Sequence, residues 1–285
     1  MQHPHDVLAE VLLRYCPVEI VDIGANPLAQ AAPYSPLLER GLAHVIGFEP
    51  HKEAFAALSA KNDSHADYLN VGVGDGQAHD FHIYSGVGLS SIFPLRQANI
   101  DTLELSATDL VEKTKIETVR LDDIAEIERI DFLKIDTQGS ELMIFQNGQE
   151  KLSKTLAIQT ELRFLQLYDG EPTMGQVLDH LVQSGFEFHR LVGINNFMLR
   201  DTRRPGFGRW MRQQTGDADG FFVRQLTALD KYTEAELARL SLIAGCALNL
   251  QNLTLFCLRK LVERGAIPAS AEDAYADAVL AERRG

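Results

Sequence analysis

Short runs of β-branched and apolar residues alternate with segments of helical periodicity along most of this chain, and that alternation restricts its architecture more than any other feature. VEIVDIGA (18–25), HVIGFEP (44–50), YLNVGVGD (68–75), IDFLKIDT (130–137) and LAIQTELRF (156–164) are continuous, β-rich and ended by polar residues or glycine, and each reads as a buried strand. Helical segments fall between them: PLLERGL (36–42), HKEAFAALSAK (51–61) with Phe55 and Leu58 one turn apart, SELMIFQNG opening at Gly139, and TMGQVLDHLVQSG (173–185) closed by Gly185. Strand–helix–strand order of this kind predicts a mostly parallel sheet covered on both faces. FEFHRLVGI (186–194) and GFFVRQL (220–226) are joined by a Gly-, Pro- and Arg-rich stretch instead of a helix, so they are expected to pair antiparallel at one edge.

The character changes near residue 230. TEAELARLSLIAGCALNLQNLTLFCLRKLVERG (233–265) lacks strand signals and reads as one or two largely apolar helices, buried against the core or against a second copy of the chain. SAEDAYADAVLAERRG reads as a short terminal helix. The expected division is an N-terminal helix over 1–17, an α/β domain over 18–228 and a helical extension over 229–285. A formal charge of −13, from 40 acidic and 27 basic residues, argues against a general nucleic-acid binder. No run approaches the length of a membrane span, and the N-terminus lacks the pattern of a secretion signal. Cys16, Cys246 and Cys257 are too few and scattered for a disulfide framework or zinc site, which points to reduced thiols and a cytoplasmic protein.

In a parallel sheet, ligands bind beyond the carboxyl ends of the strands, so the residues closing each strand carry the argument. These are Asp22-Ile23-Gly24-Ala25-Asn26, Phe48-Glu49-Pro50, Gly74-Asp75-Gly76, Lys134-Ile135-Asp136-Thr137-Gln138-Gly139 and Thr160-Glu161. Gly24 permits a sharp turn and a close ligand approach. Glu49, at the end of the next strand, can take both hydroxyls of a ribose. Asp75 can accept a hydrogen bond from an exocyclic amine. Together they describe a nucleoside lying across three strand ends. A dinucleotide would need G-x-G-x-x-G, but this chain reads Gly24-Ala25-Asn26-Pro27-Leu28-Ala29. S-adenosyl-L-methionine has a ribose and an adenine but no pyrophosphate, and the sequence favours it over NAD.

The string VDIGAN…GFEP…VGDG…VRLDDI…IDFLKIDTQGSELMIFQNG…ELRFLQLYDGEP resembles the FkbM family of S-adenosylmethionine-dependent methyltransferases over roughly residues 18–225, with K-I-D-x-x-G-x-E as its distinctive motif. The resemblance implies a Rossmann-like class I methyltransferase sheet with one antiparallel strand, and methylation of a hydroxyl on a sugar, glycoconjugate or secondary metabolite. It further implies cofactor contact from Asp22, Gly24 and Asn26, ribose binding by Glu49, and adenine recognition near Asp75. Asp136 would face the methionine part or the acceptor. The cofactor-binding set is therefore Asp22, Gly24, Ala25, Asn26, Glu49, Pro50, Gly74, Asp75 and Asp136. Two positions depart from the family pattern. Leu28 stands where many members carry a second glycine, with Pro27 able to set the first turn of a helix, and Gln138 stands where an acidic residue is usual.

Methyl transfer to a hydroxyl needs the acceptor oriented and one proton removed. Asp136 and Glu161 are the candidate bases, with His189 and His82 behind them. A cofactor-orienting role competes for Asp136, and pairing with Arg163 or helix capping competes for Glu161. No metal site is expected: His79 and His82 would face opposite sides of a strand, and Asp122-Asp123 suits a helix start. Ser90 and Ser91 either line the pocket or belong to a plain loop. RDTRRPGFGRWMR (200–212) holds five arginines and the only tryptophan. It reads as a lid whose Arg203, Arg204, Arg209 and Trp210 would hold an anionic or glycosidic acceptor, against a solvated loop paired with the acidic surface. A non-catalytic binding module and an NAD-dependent oxidoreductase are the alternative functions.

Overall fold

A computed structural model describes residues 2–26, 31–61, 63–86 and 88–284, the side chain of Leu229 excepted. The strands are β1 (Val18–Ile23), β2 (Ala43–Phe48), β3 (Ala66–Leu69), β4 (Gly72–Gly74), β5 (Ala78–Tyr84), β6 (Leu110–Arg120), β7 (Phe132–Ile135), β8 (Ala157–Arg163), β9 (Phe186–Phe197) and β10 (Gln214–Arg224). The α-helices are α1 (Pro4–Leu12), α2 (Ser35–Leu38), α3 (Lys52–Ser59), α4 (Gln97–Thr102), α5 (Glu141–Gln146), α6 (Gln149–Leu152), α7 (Met174–Gln183), α8 (Glu234–Leu242), α9 (Gln251–Glu263) and α10 (Ala271–Glu282).

A seven-stranded sheet runs in the order β3-β2-β1-β7-β8-β10-β9. All pairs are parallel except those of β10, which lies antiparallel to both β8 and β9. Strand order reverses between β1 and β7, and this is where such sheets open a ligand crevice. Successive residues explain the continuous apolar reading of the strands. Val18 and Ile20 of β1 pack into one core with α1, α8, α9 and α10. Val21 and Ile23 pack into another with α5 and α7. The helix over 173–185 forms as expected, with a reciprocal Thr173–Gln176 cap and Gly185 at φ +85°.

Several expectations need correcting. YLNVGVGD is not one strand of the main sheet. It splits into β3 there and β4 in a separate three-stranded sheet, β4-β6-β5. The helix expected over 36–42 is the short α2. Asp122-Asp123 forms a single 3₁₀ turn and starts no α-helix. Asp122 instead accepts from the backbone N–H groups of Glu150 (3.2 Å) and Lys151 (3.0 Å), serving the N-terminus of α6. The segment following α8 is a π-helical turn, Ile243–Ala247, leading to α9. The apolar faces of these C-terminal helices are buried within the chain itself, in the core shared with α1 and the sheet. Pro27 and Leu28 lie outside the described residues. Among the described residues, no helix is long and apolar enough to cross a membrane.

Candidate active site

The crevice at the β1/β7 junction opens into a cleft of about 510 Å³, within the range of small-molecule sites. Its floor is the carboxyl edge of the main sheet. The second sheet forms its roof, with Phe81 and Ile83 from β5 and Ile116 and Thr118 from β6. Gly24, Asn26, Glu49, Pro50 and Asp136 line the cleft, together with Ser90, Gln138 and Lys134. Asp22, Ala25, Gly74, Asp75 and Glu161 are not among the lining residues.

Gly24 takes φ +83°, and a Cβ there would lie 2.0 Å from the carbonyl oxygen of Asp136. The absent side chain therefore lets the ends of β1 and β7 meet at the cleft that Gly24 lines. Next to it, Asp22 is buried, accepts from the Tyr34 hydroxyl at 2.6 Å and forms an ion pair with Lys134 at 3.2 Å. Burial would pull the Lys134 ammonium down, but Asp22 and Asp136 outweigh it and raise its pKa. Lys134 and Tyr34 were not singled out from the sequence. A lysine inside the buried run F-L-K-I was the available signal for the first.

Glu49 is 6% exposed. Burial pushes its carboxyl up to about 7, against the backbone N–H of His51, which it accepts at 2.8 Å. A buried carboxylate with one short donor, next to apolar walls, suits a pair of ribose hydroxyls. The cleft thus fits S-adenosylmethionine: polar groups at the strand ends, and hydrophobic surface from the roof and from Pro50 and Val73. Asp75 is engaged elsewhere. Its Oδ1 meets His79 Nε2 at 2.8 Å and accepts from the Gln77 N–H at 3.0 Å. Slight burial opposes the shift, but these partners lower its pKa.

The K-I-D-x-x-G-x-E motif is a closed loop. Buried Glu141 accepts from the backbone N–H groups of Thr137 (2.8 Å) and Gly139 (3.0 Å) and from the Thr137 hydroxyl (3.1 Å). Burial still raises its pKa. Gln138, at φ +57°, is the hub. Its amide donates to Asp136 Oδ1 (2.6 Å) and Glu161 Oε2 (3.3 Å), and its Oε1 accepts from Arg163 (2.5 Å) and Tyr168 (3.0 Å). Its carbonyl accepts from the hydroxyl of buried Ser91 at 2.6 Å.

Glu161 pairs with Arg163 at 2.6 Å, and Arg163 also faces Glu171 (3.4 Å) and Asp217 (3.7 Å). Burial raises the Glu161 pKa strongly, with Arg163 opposing, and it raises Glu171 to about 7. Oxygens of Asp136, Glu141 and Glu161 lie within 4.8 Å of one another. Each is already held, by the Gln138 amide, by backbone N–H groups and by Arg163 respectively. His82 is buried on β5 and His189 lies on β9; neither lines the cleft. Residues 200–212 do not line it either.

The sequence profile described as "Methyltransferase FkbM domain" matches residues 22–188, more than half of the chain. The chain is 32% identical over 188 residues to the 2-O-methyltransferase NoeI of Sinorhizobium fredii (strain NBRC 101917 / NGR234), covering 62% of this chain and 76% of that protein. Similar solved structures include a putative S-adenosylmethionine-dependent methyltransferase from Listeria monocytogenes (9% identity, 78% of this chain and 98% of that chain, TM-score 0.40). Another is an S-adenosylmethionine-dependent methyltransferase from Mesorhizobium loti (14% identity, 77% and 96%, TM-score 0.39). The oxidoreductase and non-catalytic alternatives are thereby set aside, and the chain belongs to the FkbM family of S-adenosylmethionine-dependent methyltransferases.

Proposed function

We propose that the chain methylates a hydroxyl oxygen on a sugar, glycoconjugate or secondary metabolite. The observation that carries this reading is the Asp136 carboxylate in the cleft wall, its Oδ1 fixed by Gln138 at 2.6 Å, which leaves Oδ2 to receive the proton of an acceptor hydroxyl. The 2-O-methyltransferase relative supports oxygen as the acceptor atom. S-adenosylmethionine, when bound, supplies an electrophilic methyl group. Glu49 would hold the ribose, Gly24 and Asn26 would border the cofactor, and Lys134 would offset the negative charge of Asp22 and Asp136. Glu161, tied to Arg163 away from the cleft wall, supports Gln138 and takes no proton from the acceptor. The three free cysteines support a cytoplasmic location.

The test is transfer of a labelled methyl group to a panel of hydroxylated saccharides and glycolipids, with Asp136→Asn as the control. The variant is expected to lose about 10²–10⁴-fold in kcat while keeping its affinity for S-adenosylhomocysteine. An undiminished rate in Asp136→Asn would remove Asp136 as the base, and labelling of amines alone would remove the hydroxyl acceptor.

A further inference from the structure

The segment from Arg200 to Arg212 was the one strong sequence feature that the cleft does not use. It joins β9 to β10. Because β10 is antiparallel to both of its neighbours, β9 runs parallel to β8, and its carboxyl end lies on the same edge of the sheet as the cleft. The loop is anchored at its base: Arg200 donates to the carbonyls of Ile100 and Leu103, and Arg203 pairs with Glu104 at 3.0 Å. Beyond that base it projects outward. Trp210 is 65% exposed, and among the described residues its only ring partner is Phe207, itself 39% exposed, at 5.6 Å. Leu199, just before the loop, is also exposed.

Five arginines against Asp201 give these thirteen residues a charge of +4, so the other residues carry −13 − 4 = −17. Among the described residues, no carboxylate lies within 4.0 Å of Arg204, Arg209 or Arg212. Arg204 donates to the carbonyls of Asp201 (3.0 Å) and Arg203 (2.8 Å), which leaves its charge without a counter-ion among the described residues. Exposed aromatic rings on the same loop as guanidinium groups that no carboxylate neutralises match a surface with anionic headgroups above an apolar interior. A long polyanion suits the tip less well, since it would also run over the strongly acidic remainder of the chain.

We propose that the β9–β10 loop is a peripheral docking tip for an anionic phospholipid surface. It is placed on the cleft edge, so that docking turns the cleft toward molecules held at that surface. Trp210 is the only tryptophan, so its fluorescence reports on this tip alone. The full chain would be mixed with phosphatidylcholine vesicles with and without phosphatidylglycerol. The expected result is co-sedimentation with the anionic vesicles only, a shift of Trp210 emission to shorter wavelength, and loss of both at high salt. Each of Arg204→Ala, Arg209→Ala and Arg212→Ala is expected to weaken binding about five-fold, with thermal melting unchanged because these side chains are exposed. No sedimentation or emission change with anionic vesicles at low salt would overturn the proposal. So would equal binding to neutral vesicles, or a response to heparin or an oligonucleotide without one to vesicles.

Discussion

At the scale of single residues, Glu49 carries the most specific consequence. Its carboxyl is pushed up to about 7 by burial, so around neutrality a large share of the molecules carry it protonated and unable to accept two ribose hydroxyls. Affinity for S-adenosylhomocysteine, measured calorimetrically, is expected to rise about tenfold from pH 6 to pH 8 as the group ionises. Glu49→Ala should weaken binding by about 1.5–3 kcal/mol and flatten that pH dependence. Unchanged affinity in the folded variant would place the nucleoside elsewhere. Glu49 was legible because a carboxylate ending the second strand has a position that the sheet dictates. Lys134 was not, because nothing in one sequence separates a structural buried lysine from one facing a cleft. Asp75 shows the same limit in reverse. It closes a strand as read, but that strand belongs to the roof, and its carboxylate serves His79 and Gln77.

At the scale of elements, the D-x-x-G-x-E loop shows what a motif can hide. The acidic residue at its end suggests chemistry, yet Glu141 spends its oxygens on Thr137 and Gly139 and thereby sets the backbone from which Asp136 and Gln138 project. Glu141→Gln replaces one acceptor oxygen with a donor facing N–H groups. Denaturant unfolding is expected to show a loss of about 2–3 kcal/mol, and an unaffected midpoint would mean that the loop is held by other bonds. The main strands were readable because burial on both faces removes polar residues from them. The roof was not. β6 is LVEKTKIETVR, mostly exposed, with Thr118 its only buried residue, so it lacks the apolar alternation that marks a strand. The wall that completes the cleft was thus the least visible part of the fold.

For the whole molecule, the edge of the sheet concentrates carboxyl groups whose burial favours the protonated form. Glu49 and Glu171 sit near 7 against an ordinary 4.5, and Glu141 and Glu161 are raised as well. Where the folded state holds protons more tightly than the unfolded chain, stability is fully present below the unfolded value and is lost as pH rises through the folded one. Each of the first two groups therefore withdraws of order 3 kcal/mol as pH climbs from about 4.5 to beyond 7. Asp75 acts in the opposite sense, but only in acid, as pH falls below the ordinary 3.8 and through its lowered value. Lys134 and Arg163, both raised, keep their charge throughout this window. The ligand-free chain is thus expected to melt highest in mildly acidic buffer and to lose stability steadily toward pH 8. Glu171→Gln should flatten that slope by the share of one group, since the amide stays neutral and can still accept from the Tyr168 N–H. Melting temperatures that rise between pH 5 and pH 8 would show that Arg163 holds the cluster ionised throughout, and the acidic edge would then stabilise the fold at neutral pH.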